Sequence, residues 1–192
     1  MSNSKEWILS QIREKQKSIS IPLPEYEGFG ICYEDKEKAF ENALIQAGAN
    51  IAYTNKKRVH EVIKKHYKDA KIIVSNISDI ISPAKEITKT PHDLADADLA
   101  IVKGKFGVAE NGAIWIEHDK KEQRAHYFIA QHLVIILDKN SIYHNMHQAY
   151  ANITLEKGGF GTFIAGPSKT ADIEQALVIG AHGPKSLLVV VL

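Results

Sequence analysis

This chain has very little cysteine: Cys32 is the only one in 192 residues. One thiol cannot build an internal disulfide framework, nor a zinc or iron–sulfur site made from several cysteines of this chain. There is no apolar run near the roughly 18 residues that a membrane span needs. The N-terminus, MSNSKEWILSQIREKQ, is charged and amphipathic and lacks the apolar core of a signal peptide. No excess of one charge exists either, with 24 Lys and Arg against 23 Asp and Glu. Such a balance gives no global field to attract nucleic acid or an anionic membrane. No Gly-x-Gly-x-x-Gly is present, so a Rossmann dinucleotide site is not expected. These absences point to a soluble, cytoplasmic protein that holds no metal and no cofactor of its own.

What is present reads as alternating helices and strands. Residues 4–17 form a candidate helix with Trp7, Ile8 and Ile12 on one face. Residues 18–30, with two prolines and two glycines, read as an arm. Residues 1–30 are therefore set apart from an α/β domain over 31–192. Asp35 is placed to cap a helix running to Gln46, with Gly48 as its stop. A short strand at 49–53, a helix at 56–67 after Asn55, buried strands at 71–75 and 132–137, and a strand at 98–103 follow. Helices are expected at 123–130 and 141–153. This order predicts a mostly parallel sheet with helices on both faces.

The last 33 residues, FGTFIAGPSKTADIEQALVIGAHGPKSLLVVVL, organise the rest. A short apolar run breaks at Gly166-Pro167 and is followed by Ser168, Lys169 and Thr170. A helical spacing of Ile173, Ala176 and Leu177 comes next, then Gly180, the turn His182-Gly183-Pro184, and six apolar residues from Leu187. The pattern predicts strand, loop, helix, turn, strand, as a right-handed crossover between parallel strands. Ser168 or Thr170 suits the helix cap. First-turn N–H groups, the helix dipole and Lys169 would then form an anion site, with Asp172 or Glu174 facing the same pocket. A capped crossover helix that binds nothing is the plainer alternative. The loop is not a phosphate-binding P-loop, because the Gly-Lys-Ser/Thr ending is absent.

The second informative stretch is Glu110-Asn111-Gly112 between apolar runs. Asn-Gly is a strong turn signal, so Glu110 should sit at a strand end. A desolvated Glu110 beside an anion site could act as base or nucleophile; otherwise it is an exposed turn carboxylate. His182 suits a carboxylate ligand or general acid, or a turn histidine bonded to backbone. His144 and His147, three apart, read as a surface pair rather than metal ligands. Asp93, Asp96 and Asp98 suit caps and turns, with cation binding as the alternative, and Lys103 and Arg124 suit carboxylate partners or solvated faces. The loop, the Glu110 turn and His182 are expected to line one cleft.

The combination AENGAIW, QHLVIIL, IAGPSKTADIE and VIGAHGPKSLLVVVL resembles the LUD domain, the family of lactate-utilization protein C, over about residues 36–192. The resemblance implies an α/β fold like that of the sugar-phosphate isomerase and CoA-transferase group. It also implies iron–sulfur partner subunits, with clusters on those partners, that oxidise L-lactate to pyruvate. Glu110-Asn111-Gly112 stands where many members have an Asp-Thr-Gly-Thr-like turn. The triplet is also similar to the Ser-Glu-Asn-Gly turn of CoA transferases, whose Glu forms an acyl-CoA thioester; Ala109 replaces that Ser. The function expected is thus a non-redox subunit of a lactate-oxidising system. The alternatives are a small-anion or CoA-handling enzyme using Glu110, and a regulatory or assembly subunit.

Overall fold

A computed structural model describes residues 4–15, 22, 28–75, 77, 90–118, 123–156, 159–170 and 178–192. Helix α1 (Ser4–Lys15) comes first. Helix α2 (Lys36–Gln46) starts where Asp35 accepts a 2.9 Å bond from the Lys38 N–H, the cap read from sequence. Strand β1 (Asn50–Tyr53) follows. Asn55 then caps a tight turn that leads into α3 (Val59–His66), with its side chain accepting from the Lys57 N–H. The remaining elements are β2 (Ile73–Ser75), β3 (Leu99–Lys103), β4 (Phe106–Val108), β5 (Ile114–Glu117), α4 (His126–Ile129), β6 (His132–Leu137), β7 (Ile142–Tyr143), α5 (Met146–Ala151), β8 (Gly161–Ile164) and β9 (Ser186–Val191).

Five strands form a parallel sheet in the order β1-β9-β6-β3-β2. Its central strands are buried on both faces, as their unbroken apolar runs require. One face packs Leu99, Ile101, Val134, Ile136, Leu188 and Val190 against Val59 and Ile63 of α3. The other meets Phe40 and Leu44 of α2, Tyr127 of α4, and Ile114 and Ile116 of a second sheet. That second sheet has the order β7-β4-β5-β8. Its outer face stacks Phe106, Trp115 and Phe163, with α5 over them through Ala149. The α/β class with a mostly parallel sheet and flanking helices is therefore what the chain adopts.

Three local expectations are corrected. The apolar runs at either end of the last stretch do not form one parallel crossover: β8 pairs antiparallel with β5 in the small sheet, while β9 lies between β1 and β6 in the large one. Packing explains the split. Trp115 lies over Gly161 so closely that a Cβ there would come within 2.1 Å of its ring, and β8 is only half buried where β9 is buried. The helix expected at 141–153 shrinks to α5, because buried Ile142 pairs with Gly107 in β7 and Asn145 restarts the chain as a cap. The helix expected at 123–130 is the single turn α4, preceded by turn residues. The helical spacing of Ile173, Ala176 and Leu177, with Asp172 and Glu174, lies outside the described residues. No helix among the described residues is long and apolar enough to cross a membrane.

Candidate functional site

The β4–β5 turn is built as Asn-Gly predicts. The Gly112 N–H donates to the Val108 carbonyl at 2.9 Å, and Asn111 Oδ1 accepts from the Ala113 N–H at 3.0 Å. Gly112 has φ +70°, and a Cβ there would sit 2.8 Å from the Leu44 backbone nitrogen, so the turn presses on the last turns of α2. Glu110 is exposed, and its Oε2 accepts from the Met146 N–H at 2.8 Å, the first residue of α5. A carboxylate at that helix start satisfies one of its unpaired donors. Glu110 also borders a groove of about 390 Å³ along α2, with Tyr33, Asp35, Lys38, Asn42 and Gln46.

The Gly166–Thr170 loop reaches the same helix end from another side. Gly166 has φ +73° and lies against Ala47, and Pro167 lies against Gly48. Lys169 Nζ donates to the Ala47 carbonyl at 2.6 Å, so it serves the negative end of α2. The Ser168 N–H donates to the Pro184 carbonyl at 2.8 Å, and a Cβ on Gly183 would be 3.0 Å from that of Ser168. The loop and the His182-Gly183-Pro184 turn are thus side by side, with His182 itself exposed. Lys169 pairs with Ile179, and Thr170 exchanges two bonds with Val178: its N–H donates to the carbonyl, and its hydroxyl accepts from the Val178 N–H.

The Glu110 turn and the Gly166–Thr170 loop therefore meet the end of α2, and the His182 turn lies beside the loop, but the three do not share one groove. No residue of 166–170 or 182–184 lines the groove that Glu110 borders. Nor do they sit at the carboxyl edge of the parallel sheet. Ala47 precedes β1 by three residues and Gly183 precedes β9 by three, which places them at its amino edge. The cause is again that β8 belongs to the antiparallel sheet, so its C-terminal end points the other way.

Other candidates have structural partners. His144 Nδ1 accepts from the Tyr33 N–H at 3.1 Å, and His147 tilts on Phe29 at 6.5 Å, so both hold the segment before α2. Asp98 Oδ2 accepts from the Ile72 and Lys71 N–H groups at 2.8 Å each, and these bonds hold its carboxyl below the usual range. Arg124 lies 4.6 Å over the Phe160 ring. Among the described residues, no three His, Cys, Asp or Glu side chains converge as metal ligands do.

Sequence reasoning missed two groups. Asn145, buried, accepts from Gln148 N–H and donates to the Ile31 carbonyl at 3.2 Å, tying the segment before α2 to α5. The Asn-x-x-Gln spacing was the available signal, since Gln148 reaches back to the His144 N–H. The other is the set Tyr67, Ser186 and His132, joined through the Ser186 hydroxyl at 2.9 and 2.8 Å. Burial lowers the His132 pKa, Lys185 adds to that, and Asp98 opposes it. No local pattern joins residues so far apart in the chain.

A family model described as the LUD domain matches residues 4–192. Lactate utilization protein C of Geobacillus kaustophilus is 36% identical over 94 residues, which cover 46% of this chain and 39% of that protein. The protein of the same name from Bacillus pumilus is 33% identical over 94 residues, with the same coverage. An uncharacterized protein of Neisseria meningitidis, NMB1437, is 29% identical over 118 residues, 60% of this chain and 51% of that one. The chain thus matches about two-fifths to half of the length of these relatives. Among solved structures, a DUF162 family protein from Deinococcus radiodurans superposes with a TM-score of 0.62 at 17% identity, over 88% of this chain and 99% of that one. At that identity the likeness is one of fold.

Proposed function

Because the chain belongs to the LUD domain family, we propose that it serves lactate utilization in the cytoplasm, as a subunit without a redox centre of its own in an iron–sulfur-dependent oxidation of L-lactate to pyruvate. The observation that carries this reading is the match to proteins named lactate utilization protein C. Chemistry supports the division of labour. Oxidising lactate to pyruvate removes two electrons and two protons, which need an acceptor. This chain has one thiol, exposed Cys32, and no dinucleotide motif. The electrons are therefore assigned to clusters on partner subunits.

A second reading uses Glu110 as base or nucleophile toward a small acyl or anionic substrate. Its carboxylate borders a groove carrying Lys38, Asn42 and Gln46, which favours that reading over a purely regulatory subunit. One experiment separates the two. The purified protein is assayed with L-lactate and a dye acceptor, alone and after capture of its partners from native cells, with iron measured on the captured material. The first reading expects dye reduction only with iron-containing partners. Turnover by the chain alone, without added cofactor, overturns it.

A further inference from the structure

The feature that the reading above leaves unused is a cleft of about 360 Å³ lined by Ile77, Lys103, Gly104, Lys105 and Glu117. We infer that this cleft binds a small organic monocarboxylate and that Lys103 receives its carboxylate. Lys103 is the last residue of β3, between the parallel strands β2 and β6. The cleft thus opens at the carboxyl edge of the parallel sheet, where ligands collect in open α/β sheets. Gly104 lets the chain turn from one sheet into the other: a Cβ there would lie 2.7 Å from Ile114 Cγ2 and 3.1 Å from Ile135 Cγ2. The turn brings Lys103 of the large sheet beside Lys105 and Glu117 of the small one.

The charges select the ligand. Lys105 is ion-paired with Glu117, while Lys103 has no hydrogen-bond or ion-pair partner among the described residues. Among the described residues, two ammonium groups and one carboxylate line the cleft and leave it at +1, matched by one carboxylate rather than by a phosphate dianion. Ile77 offers an apolar wall for the rest of a short acid. The Gly166–Thr170 loop competes poorly for such a ligand. Lys169 Nζ, the Ser168 N–H and the Thr170 N–H already donate to protein carbonyls, at 2.6, 2.8 and 3.0 Å. An anion there would have to displace those acceptors.

The inference stands apart from the pathway reading, and its failure would leave that reading untouched. It is tested on the full chain by calorimetric or NMR titration at low ionic strength with sodium propionate, sodium L-lactate and inorganic phosphate. Saturable binding of both carboxylates is expected, with phosphate weaker. Lys103→Ala should weaken carboxylate binding about tenfold, the scale of a lost charge-assisted hydrogen bond. Glu117→Gln releases Lys105 and raises the cleft to +2, so it should tighten binding and improve phosphate relative to propionate. Lack of saturable carboxylate binding overturns the inference. So does a parent protein that prefers phosphate, or binding that is lost in Lys169→Ala and kept in Lys103→Ala.

Discussion

Gly166 and Ala47 lie in backbone contact: a Cβ on Gly166 would be 2.3 Å from the Ala47 carbonyl oxygen, and Lys169 donates to that same oxygen. The end of α2 is therefore closed by residues about 120 positions further along the chain. Gly166→Ala meets both a collision and a left-handed φ of +73°. It should cost roughly 2–4 kcal/mol, the range for strain combined with overpacking. Chemical denaturation of parent and variant measures it, and a loss under ~1 kcal/mol would contradict the close contact.

Glu110 should separate by substitution. Glu110→Gln keeps an oxygen that can accept from the Met146 N–H, whereas Glu110→Ala leaves that donor to water. Stability should fall little in the first variant and by about 1 kcal/mol in the second. If Glu110 also performs proton transfer or nucleophilic attack, Glu110→Gln in the reconstituted system should lose roughly 100-fold or more in turnover. Full turnover with the expected stability pattern assigns the carboxylate to α5 alone.

His126 makes stability depend on acid. Burial drives its pKa from 6.5 down to about 4, the neighbouring His118 charge acts in the same sense, and the Gln123 carbonyl opposes both. Between those values the unfolded chain binds a proton that the folded chain does not. Folding stability contributed by neutral His126 is thus complete above pH 6.5 and is lost as pH falls toward 4, by up to about 3 kcal/mol. His126→Phe should flatten the unfolding free energy against pH in that window. An unchanged slope would place the acid sensitivity elsewhere, for instance at His132, whose pKa is lowered in the same direction.

Helix α1 should be dispensable for domain stability. It buries none of its residues, and Trp7, Ile8 and Ile12 are 63%, 50% and 50% exposed. Removing residues 1–15 should leave the denaturation midpoint within about 0.5 kcal/mol of the parent. It should also remove an exposed tryptophan and so shift the emission toward that of Trp115, which is 6% exposed. A large loss of stability would mean that α1 packs in solution.

What could be read from the sequence follows the range of the interactions. Asp35 and Asn55 act within three residues, Asn111-Gly112 closes its own turn, and the runs starting at 98, 132 and 187 needed no partner to be read as strands. The role of Lys169 was not legible, because its acceptor lies 122 positions away and sits at a helix C-terminus. The sheet to which β8 belongs was hidden for the same reason: Trp115 over Gly161 decides it, at a separation of 46 positions.

The position of β9 has a consequence for synthesis. Among the described strands it is the last in sequence, yet it fills the slot between β1 and β6. Until residues 186–191 have left the ribosome, those two strands each present an unpaired edge, and β1 with α2 has no sheet to join. Nascent chains stalled before that point are templates for strand exchange, which makes them natural clients for chaperones that shield edges.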